Sequence, residues 1–285
     1  RNINYKLYFA LLVLGLAPTV YTTVRVFFLG SLPGEYSFSI AGQLSWLNLL
    51  YEIINEAIIL PLFYFIGKVV TDKKEFTNRV KTGMFIALVI YLILSAVIIR
   101  FSKPLLSLMA TNASIIDASS TYIRIESAAN VFLILSQFTL VALVTINKSK
   151  YLYILTIAKL VLSLVCDTFL VSAFPISLNL GVNGIGYSNI IVNIILLGIS
   201  LLLLAKENVN IFKKAKPSFS WTKEFIKIGG FSGLESLVRN VAYMVMISRM
   251  VNVVGEQGTY WVANNFIWGW LLLPVLQLGE LIKQE

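Results

Sequence analysis

Eight apolar stretches, each long enough to cross a bilayer, alternate with short connections, and the lysines and arginines fall almost entirely on every second connection. A hydrocarbon core about 30 Å thick takes roughly 20 apolar residues as a helix. Segments near 7–29, 44–66, 84–100, 124–146, 151–174, 184–205, 225–251 and 259–282 come close to that length. The chain therefore reads as an all-α polytopic membrane protein with eight transmembrane helices.

The basic connections set an expected orientation. The 67–83 connection holds Lys68, Lys73, Lys74, Arg79 and Lys81, and 206–224 holds Lys206, Lys213, Lys214, Lys216 and Lys223. Lys148 and Lys150 occupy the 147–150 turn, Arg1 and Lys6 flank the first span, and Lys283 comes after the last. By contrast 30–43, 175–183 and 252–258 carry no Lys or Arg, and 101–121 carries only Lys103, just after Arg100. The positive-inside rule then puts both termini on the cytoplasmic side. The formal net charge of +9 is explained by loops facing an anionic leaflet, so lipid rather than nucleic acid is the expected partner.

One cysteine, Cys166, lies inside an apolar run, which leaves no internal disulfide, and there is no histidine. Histidine-based triads and histidine-ligated zinc are excluded. The first span has no small-residue cleavage site and reads as a retained helix. Without a soluble domain, any chemistry would take place inside the bilayer.

The longest polar stretch, 206–224, combines lysines with Pro217 and an amphipathic start at Val209, Ile211 and Phe212. It reads as a cytoplasmic loop on the headgroups and as the boundary between an N-terminal six-helix lobe, 1–205, and a helix pair, 225–285, that opens a C-terminal lobe. A second interfacial stretch, 101–119, reads as a short amphipathic helix on the outer surface with Pro104 in its first turn. The helix pair beyond the boundary repeats the opening of the six-helix lobe. APTVYTTVRV (17–26) aligns with FSGLESLVRN (231–240), which puts Val24-Arg25 on Val238-Arg239. IILPLFYFIGK (58–68) aligns with LLLPVLQLGELIK (271–283), which puts Pro61 on Pro274. Parallel repeats of this kind are a transporter signature, and they imply a piece of a protein of about twelve spans.

Ionisable residues within spans cost several kcal/mol, at least about 2.5 to 3.5, unless they face a cavity or a partner. The intramembrane set is Arg25, Glu52, Glu56, Lys159, Asp167, Glu235 and Arg239, with Arg124, Glu126, Arg249 and Glu280 nearer the ends. Glu52 and Glu56 are i,i+4 on the second span, with Asn48 and Asn55 close to that face. Two carboxylates so close make a proton or a cation a natural third party. Ser163 and Asp167 are also i,i+4, which suits a hard cation or a proton relay. Glu235 and Arg239, at the same spacing, read most simply as a neutralising pair.

Two further patterns concern helix contacts. LNLGVNGIGYSNI (178–190) is a glycine-rich turn entering the sixth span, with Asn183, Asn189 and Asn193 behind it. It comes after a span rather than a strand, so it is not a phosphate loop, and its small residues permit close helix approach. Trp261, Phe266, Trp268 and Trp270 with Asn264 and Asn265 read as a lipid-facing belt, or alternatively as the wall of a pocket for apolar solutes.

Six spans, a basic loop and a repeat, with LxLGVNGxGYSN at the fifth–sixth turn, an Asp in the fifth span, LPLFYFIGK and IIDASSTYIRI (115–125), resemble the multidrug and toxic compound extrusion (MATE) family. The resemblance extends over essentially the whole chain. It implies a first lobe and the opening hairpin of a second, a central cleft, and exchange of H⁺ or Na⁺ for organic solutes by a monomer in a prokaryotic cytoplasmic membrane, with no cofactor beyond the coupling ion. It further implies a cation site at Asp167, with Ser163 standing where proton-coupled members carry Asn and Asn189 where they often carry Thr. Glu52 and Glu56 are further candidates for coupling, and Arg25, Arg239, Glu235 and Asn55 for the substrate cleft.

Two departures change the chemistry. Where many members have a first-span Asp this chain has Arg25, and where others have a seventh-span Glu it has Arg239, with Glu235 one turn earlier. Arginine stays charged, so neither position releases a proton. Paired arginines in one cleft would favour an anionic solute, the property expected of a flippase for lipid-linked saccharides in the wider superfamily. The alternative is that Arg25 pairs permanently with Asp167 or a second-span Glu as a tethered cation. An intramembrane enzyme lacks any matching constellation, and a channel would more often show polar rings.

Overall fold

The computed structural model describes residues 5–34, 36–148, 150–212 and 219–284. Arg1, Lys213, Lys214, Lys216 and Pro217, and the side chains of Lys6, Glu280 and Lys283, lie outside the described part. Among the described residues the chain forms eight long helical segments. They are α1 (Tyr5–Gly30), α2 (Ser37–Gly67), α3 (Lys73–Leu108), α4 (Ala113–Thr145), α5 (Lys150–Leu170) and α6 (Val182–Lys206). After them come α7 (222–253) and α8, which is Gln257–Leu271 joined to Leu273–Gly279 across a 56° bend. The first six are long and apolar enough to span a membrane, and the bent pair makes a seventh. In α7 the charges of Lys223, Glu224, Lys227, Glu235, Arg239 and Arg249 lower the hydropathy of an otherwise apolar helix.

Local chemistry closes the helices. The Asp72 side chain accepts from the backbone N–H of Lys74 at 3.0 Å and of Glu75 at 3.1 Å, capping α3. Ala110, Asn147 and Asn208, just past the ends of α3, α4 and α6, lie in the left-handed region, the usual way of meeting the last carbonyls. The short helix expected in 101–119 is present after a break at Phe101 but ends at Leu108, and the rest of the stretch opens α4. Helix α3 kinks at Phe101 (φ −108°, ψ 20°) and runs on to Leu108, with Pro104 in the first turn after the kink. Asn112 then caps the 3₁₀ turn that opens α4, accepting from Ser114 N at 3.0 Å. Glu126 thus lies about three turns inside α4 rather than near its start.

The core fills the space between α2, α3, α4 and α6 with Trp46, Phe65, Phe76, Tyr91 and Phe138. Val209 and Ile211 join that core, whereas Phe212 is exposed. The start of the 206–224 connection is therefore anchored in the protein, which its amphipathic pattern did not distinguish from a headgroup contact.

Helices α7 and α8 contact α2 and α1 in a crossed arrangement. Tyr8 Oη donates to Pro274 O at 3.0 Å, Thr19 Oγ1 to Gly269 O at 3.0 Å, and Trp270 Nε1 to Thr23 Oγ1 at 2.9 Å, joining α1 to α8. Between α2 and α7, a Cβ added at Gly229 would lie 2.1 Å from Ala57 O, and one at Gly233 would lie 2.6 Å from Ala57 Cβ. The register that puts Val24-Arg25 on Val238-Arg239 also puts Gly15 and Thr19 on Gly229 and Gly233. Each repeat's first helix thus packs its small residues against the other's second helix, the reciprocity a two-fold relation imposes.

Both second helices contain a π-turn upstream of the matched proline, Asn55–Ile59 before Pro61 and Ile267–Leu271 before Pro274. Proline has no N–H and crowds the carbonyl four residues back, so the helix widens there. The Ala57 carbonyl stands in that position relative to Pro61, and it is the one that Gly229 approaches.

Candidate functional site

Side chains from four helices, three of them buried and one half-buried, form one continuous polar chain. Arg25 of α1 donates from Nε to Asp167 Oδ2 of α5 at 2.6 Å, and its Nη2 reaches Oδ1 at 3.4 Å. The same Nη2 donates to Asn189 Oδ1 of α6 at 2.8 Å. Asn189 Nδ2 in turn donates to both carboxylate oxygens of Glu126 in α4, at 2.9 and 3.2 Å. Arg25 is 8% exposed, Asp167 0% and Glu126 3%. Ser163 is buried one turn before Asp167 on the same face.

The chain forms part of the wall of a cavity of about 530 Å³. Arg25, Glu126, Lys159 and Asn189 contribute its charged and amide edge, and Tyr243, Tyr260, Trp261, Asn264 and Asn265 of α7 and α8 face them. The Arg25 guanidinium carbon lies 5.1 Å from the centroid of the Tyr21 ring, and Lys159 Nζ lies 6.0 Å from the same centroid. Tyr243 and Tyr260 join their hydroxyls at 2.5 Å. Asn193 Oδ1, on the same wall, is buried without a partner. The aromatic cluster is divided between two spaces. Trp261 stacks on Phe38 at 6.0 Å and lines the larger cavity, whereas Phe266, Trp268 and Trp270 line a separate one of about 350 Å³ against α1.

The other sequence-selected residues form a second cluster between α2 and α7. Arg239 contacts Glu56 and also lies 3.7 Å from Glu235. Glu52 is exposed one turn before Glu56, with Asn55 at the start of the π-turn. The Arg239 side chain is 53% exposed, and none of Arg239, Glu52, Glu56, Glu235 or Asn55 lines the larger cavity. The two repeat-matched arginines therefore do not share a cleft. Each is held by its own carboxylate, Arg25 by Asp167 and Arg239 by Glu56.

Among the described residues no three Asp, Glu, Cys or His side chains gather as metal ligands. At Asp167 both oxygens already face a guanidinium, so the oxygen cage a Na⁺ ion needs is not assembled there. Glu126 and Lys159 stood among the intramembrane charges of the sequence without an assigned role, and Tyr122 joins them only in three dimensions. The available signal for Glu126 was the polar run IIDASSTYIRIES, which is helical from Ile116 onward.

The family model MatE matches residues 16–169. No curated protein matches the sequence. Among solved structures, the outward-facing conformation of a multidrug resistance MATE family transporter of the MOP superfamily superposes with a TM-score of 0.73 at 16% identity, over 98% of this chain and 63% of that one. A MOP superfamily transporter from Pyrococcus furiosus, described by a reverse polarity of its binding pocket that suggests a different function, gives 0.72 at 16% identity over 99% and 64%. A MATE structure in complex with Br-NRF gives 0.70 at 15% identity over 97% and 64%. The chain thus spans less than two thirds of the length of these structures, and at such identities the likeness shows the fold. With the family model covering more than half of the chain and this fold around it, the chain belongs to the MatE family.

Proposed function

We propose that the protein is a secondary active transporter that moves organic solutes out of the cell by alternating access, in exchange for protons. The observation that carries this reading is the cavity of about 530 Å³, which sets the buried charges of α1 and α4, the half-buried Lys159 of α5 and the amides of α6 against aromatic and amide groups of α7 and α8. Buried ionisable groups around a cavity at the contact between repeats are what an alternating-access site requires. Aromatic faces beside polar edges suit a solute with a flat apolar body and a polar or cationic head. Protons are favoured over Na⁺ because the guanidinium of Arg25 already occupies the oxygens of Asp167. Capture of an anion or a lipid pyrophosphate by paired arginines has no support here, since Arg239 lies against Glu56 outside the cavity.

The membrane is read as the cytoplasmic membrane of a prokaryote, with the lysine-rich connections on the cytoplasmic face and a monomer as the working unit. Full-length protein in proteoliposomes, loaded with ethidium or carboxyfluorescein, tests the reading. An imposed pH gradient is expected to drive ethidium and a Na⁺ gradient is not. Carboxyfluorescein movement without ethidium movement, or no movement of either, would reject it.

A further inference from the structure

Resting on the transporter reading, we propose that the exchangeable proton of this cavity binds Glu126, that Asp167 stays ionised throughout, and that Asn189 positions the Glu126 carboxylate. Asp167 is fully buried and both its oxygens face Arg25. Arginine does not deprotonate in proteins. A proton on Asp167 would therefore strand a guanidinium in the interior, and an uncompensated buried charge is strongly destabilising.

Glu126 stands in the opposite situation. Its carboxylate is nearly as buried, yet no ion pair among the described residues includes it. Its hydrogen-bond donor is the neutral amide of Asn189, and Tyr122 lines the cavity beside it. A carboxylate held from water by neutral donors alone is relieved by a proton or by an approaching cation. Because Glu126 lines the cavity, either one has access to it.

The groups facing Glu126 fix the sign of the coupling. They are Tyr21 and Arg25 from α1, Tyr51 from α2, Tyr122 from its own helix, Lys159 and Asp167 from α5, and Asn189 and Asn193 from α6, with Tyr243 and Tyr260 across the cavity. With Glu126 ionised, the two cations and two carboxylates of this set balance. With Glu126 protonated, one positive charge is in excess. Protonation therefore opposes a cationic solute, which is the competition that exchange requires. An anion would instead bind together with the proton. The step forms and breaks one O–H bond on the carboxylate, the proton coming from water on one side and returning to water on the other.

Asn189 links the two carboxylates without titrating. Arg25 Nη2 donates to its Oδ1, which leaves only its Nδ2 to face Glu126. Its orientation is set by a partner that cannot reverse roles.

Infrared difference titration of the full-length protein in detergent tests the assignment without any substrate. The expected result is a carboxylic-acid carbonyl band that disappears as pH rises, is absent in Glu126→Gln, persists in Asp167→Asn, and has a shifted midpoint in Asn189→Ala. Glu126→Asp guards against misfolding, because it should restore a titrating band at a displaced frequency. A band that survives in Glu126→Gln and is lost in Asp167→Asn would overturn the assignment, as would the absence of any titrating band in the wild type. A band that tracks Glu126 while ethidium stays still in proteoliposomes would uphold the proton site and reject the transporter reading.

Discussion

Arg25 sets a fixed guanidinium against Asp167, where the family resemblance implied a mobile cation. The guanidinium is delocalised and weakly hydrated, so it enters a low-dielectric surrounding more readily than an ammonium would. It meets Asp167 and Asn189 through three contacts. Arg25→Lys would keep the charge and lose the fork, and we predict that it weakens cation-driven counterflow and lowers thermal stability together, read as efflux rate and unfolding midpoint in detergent. Outside the membrane, Glu207 accepts from Tyr151 Oη at 2.9 Å and pairs with Lys148 at 3.0 Å. The Lys148 ammonium beside it holds its carboxyl below the ordinary glutamate value of 4.5. A carboxyl lowered on folding stabilises the protein above its unfolded value and loses that contribution as pH falls through the lowered one. Glu207→Gln should therefore lower stability near neutrality and flatten the acid limb of a stability–pH profile, the two proteins converging below the lowered value. The sequence made Arg25 and Asp167 legible as charges out of place, and it offered their pairing as one alternative. It counted Glu126 among the intramembrane charges but set it near a helix end, because the boundary of the fourth span was drawn beside it.

At the scale of elements, helix ends and bends are set by single residues. Pro61 and Pro274 widen their helices into π-turns, and the carbonyl of Ala57 that Pro61 leaves without an amide is the surface on which Gly229 sits. Gly229→Ala should then cost on the order of 1–3 kcal/mol of stability, the range of overpacked cores. Gly230→Ala is the built-in control, since nothing lies within 4 Å of the added methyl. Equal unfolding midpoints for the two variants would contradict the close approach of α2 and α7. Prolines, glycines and the matched repeat were visible in the sequence. So was the break at Phe101, since the third span was expected to end at 100 with a short helix after it; that the two segments join end to end across a kink was not.

For the whole molecule, the crossed contacts of α1 with α8 and α2 with α7 place two ends under different control. At one end Gln43 is fully buried, and its Nε2 donates to Asn252 Oδ1 at 2.9 Å while Asn252 Nδ2 donates to Met109 O at 2.9 Å. At the lysine-rich end Lys68 lies 3.6 Å from Glu224, beside Phe65, Trp221 and Phe225. Alternating access requires these contacts to separate in turn. Cysteines at positions 43 and 252, in a cysteine-free background of the full-length protein, should cross-link with a short bifunctional reagent and arrest transport, and cleavage of the linker should restore it. Transport that continues after cross-linking would place the moving interface elsewhere. The repeat logic anticipated two related pairs of helices, but the separation of Arg25 from Arg239 depends on helix rotation, which packing sets and periodicity does not. The claim that most needs testing is that Arg25 and Asp167 form one buried unit in the place of a bound cation. A double-mutant cycle of Arg25→Met and Asp167→Leu, monitored by unfolding of the full-length protein in detergent, measures it directly. Each single change should cost about 3–5 kcal/mol by stranding a buried charge, and the double change should recover most of that loss. Losses from the two single changes that simply add in the double would contradict the pairing.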